Sequence, residues 1–215
     1  LDERMVNIIT ERFSLYKNIE IINEDVLKVD LKEIIRKEKQ EQANIKIVAN
    51  LPYYITTPII MKLLEDKLEI ESITIMIQKE VAQRLIAKPG DKLSGAITYA
   101  IYYYSNPEKI ADVSHEEFIP KPEVDSQVIK LNIRKEPEVK VDDEDKLFKI
   151  IKYSFMQRRK TLINALSNSE LFNNKEEIEK MLNDLKIDTK IRGEKLTLEQ
   201  FAQIANYKND LKRFI

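Results

Sequence analysis

The chain has 215 residues, 43% of them hydrophobic, and sets 36 Lys and Arg against 37 Asp and Glu for a formal net charge of −1. That apolar content supports a packed core of one large or two small domains, and the near-neutral balance gives no global pull toward a polyanion, so a nucleic-acid surface has to come from local clustering of charge. No cysteine, one histidine (His115) and three glycines (Gly90, Gly95, Gly193) exclude Cys-based zinc sites, thiol nucleophiles, disulfides and glycine loops of the G-x-G-x-x-G or Walker type.

The sequence opens on Leu1 and runs into an amphipathic helical pattern carried by Met5, Ile8, Ile9, Phe13 and Tyr16. Ile19, Ile21 and Ile22 predict a short strand ending in Asn23-Glu24-Asp25. Residues 30–41 predict a charged helix and 45–49 a strand. A helix follows over 57–67, with Thr56 or Thr57 as N-cap and Pro58 at its first position. Residues 70–77 read as a buried strand, 78–87 as a helix, 88–91 as a Pro-Gly turn and 96–104 as a helix. Two strands, 110–113 and 126–133, flank a proline-stiffened loop at 118–125 and suggest a closing hairpin. The alternation argues an α/β sheet with parallel strands.

The pattern changes near Lys135. Glu136-Pro137-Glu138 and the acids between 142 and 145 form a polar linker or helix cap, and short helices follow, which places a domain boundary near residue 137 and divides the chain into 1–137 and 138–215. Residues 140–215 hold 16 Lys/Arg and 13 Asp/Glu, net +3, leaving −4 for residues 1–139. Lys146, Lys149, Lys152, Arg158, Arg159 and Lys160 occur with no acid between 146 and 169. Such a run is a local footprint for a polyanion, with a solvated helix face as the lesser alternative. No apolar run approaches the ~20 residues of a membrane span and no signal-peptide pattern opens the chain, so a soluble, cytoplasmic protein is expected.

The feature most pointed toward chemistry is Asn50-Leu51-Pro52-Tyr53, directly after the strand at 45–49, where open α/β sheets place their ligands. An exocyclic aromatic amine is a poor nucleophile because its lone pair is delocalised into the ring. An amide oxygen and a backbone carbonyl that accept its hydrogens favour the reactive pyramidal nitrogen, and Asn50 with the Leu51 carbonyl supplies that pair. Pro52 stiffens the turn and Tyr53 offers a flat face for a flipped base. Four residues alone read equally well as a strand-ending turn with a core tyrosine. Of the other side chains, His115 reads as a surface or capping residue and Tyr102-Tyr103-Tyr104 as the core and rim of one helix.

Asn50-Leu-Pro-Tyr-Tyr-Ile-Thr-Thr-Pro-Ile-Ile60 resembles the fourth motif of the ribosomal RNA adenine N6-dimethyltransferases, in particular the kasugamycin-resistance type that acts on the small subunit. Met76-Ile-Gln-Lys-Glu-Val-Ala-Gln-Arg-Leu85, Ala87-Lys-Pro-Gly90, Phe118-Ile-Pro-Lys-Pro-Glu-Val-Asp-Ser126 and Phe155-Met-Gln-Arg-Arg-Lys-Thr-Leu162 are similar to further segments of the same family, in order, over nearly the whole chain. The resemblance implies a Rossmann-like class I methyltransferase sheet followed by a small all-helical domain. It also implies S-adenosylmethionine as cofactor, and N6,N6-dimethylation of two adjacent adenosines near the 3′ end of 16S rRNA by a monomer. By the same resemblance Asp25 and Val26 hold the cofactor's adenine, and Asn50 lies between methionine moiety and target amine. Tyr53 and Phe118 sandwich the target adenine, while Lys152, Arg158, Arg159 and Lys160 meet RNA. Leu1-Asp2 aligns just after the family's ribose-binding acid, so the expectation is a chain lacking an N-terminal segment of roughly 60 residues that would carry the glycine loop, with Asp2 a substitute ribose ligand at best. A large-subunit adenine methyltransferase of the antibiotic-resistance type and a non-catalytic RNA-binding module are the competing expectations.

Overall fold

A computed structural model of the chain describes residues 3–38 and 44–208, apart from the side chains of Glu38 and Tyr53. Its centre is a four-stranded sheet of β1 (Lys46–Asn50), β2 (Ser72–Gln78), β3 (Ser105–Val113) and β4 (Ser126–Ile133), in the order β1-β2-β4-β3. β1 and β2 are parallel; β4 runs antiparallel to both β2 and β3. The parallel expectation therefore holds for one pair, and the sheet is mixed because β4 returns through the hairpin.

Strand periodicity explains the packing. Ile73, Ile75 and Ile77 of β2 and Ile129 and Leu131 of β4 fall on one face and are wholly buried, each stabilising the fold by about 1.5–3 kcal/mol. They pack in one core with residues of α3 (Thr56–Glu65), α4 (Lys79–Leu85) and α5 (Ala96–Tyr104), whose apolar faces supply Ile60, Leu63, Ala82, Leu85, Tyr99 and Ile101. On the other face Thr74, Met76 and Val128 are half-buried, and Val48 of β1 is 80% exposed.

Several boundaries differ from the sequence expectation. Residues 17–24 form no strand, because a strand needs a ladder partner and none of the described strands pairs with them. They connect α1 (Glu3–Phe13), none of whose residues is buried, to α2 (Leu31–Glu38). Neither threonine caps α3. A single 3-10 turn at Tyr53–Ile55 feeds the helix, Thr56 is already helical, and its hydroxyl donates back to the Pro52 carbonyl at 3.1 Å. Pro58 sits third in the helix, where an N–H would still lack an intrahelical acceptor. β3 starts five residues earlier than expected, at Ser105, and tolerates Pro107 because it is the outer strand.

After β4 the chain enters α6 (Glu144–Met156), α7 (Leu162–Leu166), α8 (Lys175–Asp184) and α9 (Leu198–Asn206). Their starts are capped by Asp143, Thr161, Asn174 and Thr197, each accepting from a backbone N–H three residues on. Within the expected linker acids, Asp143 is thus a helix cap. Core residues of α6 to α9 pack in one continuous cluster with those of the sheet and α5.

Candidate active site and RNA-facing surface

Four strand ends gather at one end of the sheet. The register sets Asn50 beside Met76, Gln78 beside Ser126 and Ser126 beside Val113. The turn after β1, the start of α4 and the loop between β3 and β4 therefore emerge together. A separate cavity of about 700 Å³, lined by Leu63, Leu64, Ile70, Tyr104 and Ile133 among others, contains none of the predicted site residues.

At the end of β1 the Leu51 N–H donates to the Met76 carbonyl at 3.4 Å and the Leu51 side chain is buried. This anchors the turn and leaves Asn50 exposed, its amide without a hydrogen bond to any described residue. The Pro52 carbonyl is consumed by the turn, accepting from the Ile55 N–H at 3.2 Å and from Thr56. No described residue donates to the Leu51 carbonyl. The two acceptors that the amine chemistry requires are adjacent and unclaimed. Tyr53 opens the 3-10 turn, and its side chain lies outside the described residues.

Phe118 follows a single 3-10 turn, His115–Glu117, and is half-buried, whereas Ile119 is fully exposed and the Ile119–Pro120 peptide is cis. The base of this loop is held by charge. The His115 Nδ1 lies 2.8 Å from Asp125 Oδ1, and the His115 backbone N–H donates to the same oxygen at 3.1 Å. These bonds hold the Asp125 carboxyl below the usual carboxylate range. Lys79 reaches both Asp125 (3.7 Å) and Asp112 (3.9 Å), and Asp112 is likewise held low by Lys109 and Gln127. His115 is thus a surface residue, its side chain 45% exposed and bonded to Asp125, while Ser114 caps the turn.

Asp25 shapes the turn that leads into α2. Its Oδ1 accepts from the Leu27 N–H at 3.0 Å and its carbonyl from Lys28 and Val29, while Val26 and Leu27 pack against the core. The second carboxylate oxygen makes no hydrogen bond with a described residue, and no hydrogen bond links Asp25 to Asn50.

The basic run divides by partner. Lys146 donates to the Ala205 carbonyl and Lys149 pairs with Glu170 at 3.6 Å. Arg158 reaches the Lys92 and Ser94 carbonyls at 3.3 Å each and Glu194 at 3.2 Å, above the Phe155 ring. Lys152, Arg159 and Lys160 are exposed and have no ionic partner among the described residues. Sequence spacing put Arg158 with its neighbours; its acceptors come from 64 and 66 residues away, where spacing is blind.

The family model described as "Ribosomal RNA adenine dimethylase" matches residues 1–210. This chain belongs to the ribosomal RNA adenine dimethylase family. Relatives named "Ribosomal RNA small subunit methyltransferase A" include those of Alkaliphilus oremlandii (strain OhILAs), 48% identical over 206 residues, and Geobacillus sp. (strain WCH70), 49% identical over 209 residues. Each alignment covers 96% of this chain and 71% or 72% of the relative. Among solved structures, a dimethyladenosine transferase from Plasmodium falciparum superposes with a TM-score of 0.76 at 22% identity, over 94% of this chain and 78% of that one. The 23S rRNA methyltransferase ErmE superposes at 0.66, also at 22% identity, over 94% and 77%. These two support the Rossmann-like fold.

Members of this dimethylase family are methyltransferases that use S-adenosylmethionine. The chemistry of the donor set here fits parts of that cofactor. The open carboxylate oxygen of Asp25 suits an adenine amino group, Val26 an apolar ring face, and the Asn50 amide a polar tail. Asp2 lies outside the described residues. Among those described, no cluster of His, Cys, Asp and Glu could hold a metal ion, and no helix is long and apolar enough to cross a membrane.

Proposed function

We propose that this dimethylase family member transfers methyl groups to N6 of two adjacent adenosines near the 3′ end of 16S rRNA in the small ribosomal subunit, acting as a monomer. The observation that carries the proposal is the pair of unclaimed acceptors, the Asn50 amide oxygen and the Leu51 carbonyl, at the C-terminal end of a parallel strand. The small-subunit assignment rests on the relatives' printed name and their 48–49% identity.

When bound, S-adenosylmethionine supplies the methyl group on an already activated sulfonium. Asp25 and Val26 hold its adenine, and Asn50 lies toward its methionine end. Asn50 and Leu51 accept the two N6 hydrogens of the target adenosine and turn the nitrogen lone pair outward. Tyr53 and Phe118 stack on the flipped base from its two faces. The amine loses its proton easily once alkylated, so the site needs no strong base, and catalysis rests on proximity and orientation. In this assignment residues 1–137 form the methyltransferase unit and 138–215 the helical unit that meets RNA, with Lys152, Arg159 and Lys160 on phosphates and Arg158 bracing their segment against the 92–94 loop.

The test is to incubate the protein with unmethylated small subunits and S-adenosylmethionine and to map modified adenosines by mass spectrometry. Two adjacent dimethyladenosines in the small-subunit RNA are expected. A single modified adenosine in naked large-subunit RNA would instead favour the antibiotic-resistance type. RNA retention without methyl transfer would leave a binding module.

A further inference from the structure

Phe118 lies in the loop between β3 and β4, which leaves the sheet at the end where β1 stops, and that loop has little internal support. No backbone hydrogen bond joins residues 118–124 to any described residue, and Ile119 is fully exposed. What precedes Phe118 is ordered. The 3-10 turn at His115–Glu117 is closed by Ser114, whose hydroxyl accepts from Glu116 at 3.2 Å and whose carbonyl accepts from Glu117 at 3.1 Å. Phe118 is the next residue, so the direction in which it leaves follows from how that turn is seated.

The seat is Asp125. One carboxylate oxygen takes both the backbone N–H and the ring nitrogen of His115, and the other faces Lys79 at 3.7 Å. The Asp125 carbonyl accepts from the Lys79 N–H at 3.0 Å, which fixes the far end of the loop to the first residue of α4, next to the end of β2. The loop's two ends are thus tied by side chains as well as by the Val113–Ser126 pair of the sheet. A histidine ring carboxylate-bonded in this way fixes the rotation of the turn at its first residue, three positions before Phe118. Hinge freedom at that point would otherwise displace the Phe118 ring, and small displacements of a stacking group cost rate through orientation.

We infer that His115 and Asp125 form a clasp that positions Phe118 for the target adenine, His115 being a positioning residue for the methyl transfer. The inference rests on the stacking role of Phe118 proposed above, and the experiment separates the two. Steady-state methylation of small subunits is measured for the parent protein, His115→Ala, His115→Asn, Phe118→Ala and the His115→Ala/Phe118→Ala double variant.

His115→Ala is expected to lower kcat about tenfold with RNA affinity changed less than about twofold. His115→Asn, whose amide nitrogen takes the place of Nδ1, is expected to recover most of that loss. In the Phe118→Ala background, His115→Ala is expected to have almost no further effect, because a residue that acts through another loses its effect when the other is gone. Equal losses from His115→Ala in both backgrounds would overturn the clasp and mark a general structural role. So would full activity of His115→Ala alongside a strongly impaired Phe118→Ala, which would leave the stacking role standing. Full activity of Phe118→Ala would overturn the stacking role and the clasp together.

Discussion

The Tyr99 hydroxyl donates to the Leu196 carbonyl at 2.6 Å and accepts from the Gly90 N–H at 3.0 Å, while its ring lies edge-on to Phe201 and tilted against Phe155. A single fully buried side chain of α5 thus joins the turn after α4 to the loop that enters α9. Tyr99→Phe keeps the rings and leaves a half-buried donor and a buried acceptor without their partner, so a loss of about 1–3 kcal/mol is expected. Urea unfolding followed by circular dichroism measures it. If the shared core makes the sheet and helices one cooperative unit, the variant shifts the whole transition and does not split it.

Asn50→Ala should lower kcat by roughly 10²–10³-fold, the size seen when a single positioned hydrogen-bonding group is removed from an active site. The Asn50 side chain has no described protein partner and is exposed, so thermal stability and RNA affinity should stay near the parent values. Single-turnover methylation with filter binding on the same samples decides it. Parallel losses in rate and affinity would remove Asn50 from the chemistry.

How much of this was legible beforehand differs by residue. The helix at 96–104 and the strand at 126–133 match the structure residue for residue, because continuous apolar content and the alternation over 129–133 are local signals. The run Ile19, Ile21, Ile22 gave the same kind of signal and formed no strand, since pairing is a long-range property. The turn at 88–91 was marked by Gly90, which takes a φ of +92° that side chains disfavour. The motif at 50–53 marked the end of β1 and the turn after it, yet neither the Asp125 seat of His115 nor the Arg158 contacts left any trace in spacing. Partners 10 residues away across a loop, or 64 across the fold, are set by tertiary packing.

The separation of Arg158 from its basic neighbours is testable by salt. Replacing Lys152, Arg159 and Lys160 together by Gln should reduce the slope of log affinity against log salt by roughly 2, given about 0.7–0.9 per phosphate contact. Arg158→Gln should leave the slope nearly unchanged and lower the melting temperature, because it loses two backbone carbonyls and Glu194 within the fold. Equal slope changes for the single and triple variants would return Arg158 to the RNA surface.

Gly193 precedes Glu194, the ionic partner of Arg158, and packs against α6. A Cβ built there would meet Ser154 Cβ at 2.5 Å and the Ser154 carbonyl oxygen at 3.2 Å, so α6 and the turn at Gly193–Lys195 approach more closely than any side chain allows. Gly193→Ala is expected to cost about 1–3 kcal/mol by overpacking, read from the urea midpoint. Ser154→Gly in the same chain removes the clashing Cβ and should recover part of the loss, although the contact with the backbone carbonyl remains.

Glu144 gathers three donors from elsewhere in the fold: the Tyr104 hydroxyl, the Tyr103 hydroxyl at 3.4 Å and the Lys67 ammonium at 3.1 Å, with Phe148 packed on both rings. Burial first, and the Glu144 charge second, push the Tyr103 phenol up from 10.0 to about 12; burial and the hydrogen bond to Glu144 raise Tyr104 as well. A raised folded-state pKa means that the folded protein keeps a proton which the unfolded chain would release. The stabilisation is therefore complete below pH 10 and disappears as pH rises through about 12 for Tyr103. Phenolate absorbance should accordingly show a late step from Tyr103 and Tyr104, with alkaline unfolding accompanying it. Glu144→Gln removes the negative charge beside both phenols, so the late step should move down toward 10 and the fall in stability between pH 10 and 12 should become smaller. A single step for all tyrosines in the parent protein would contradict the buried cluster.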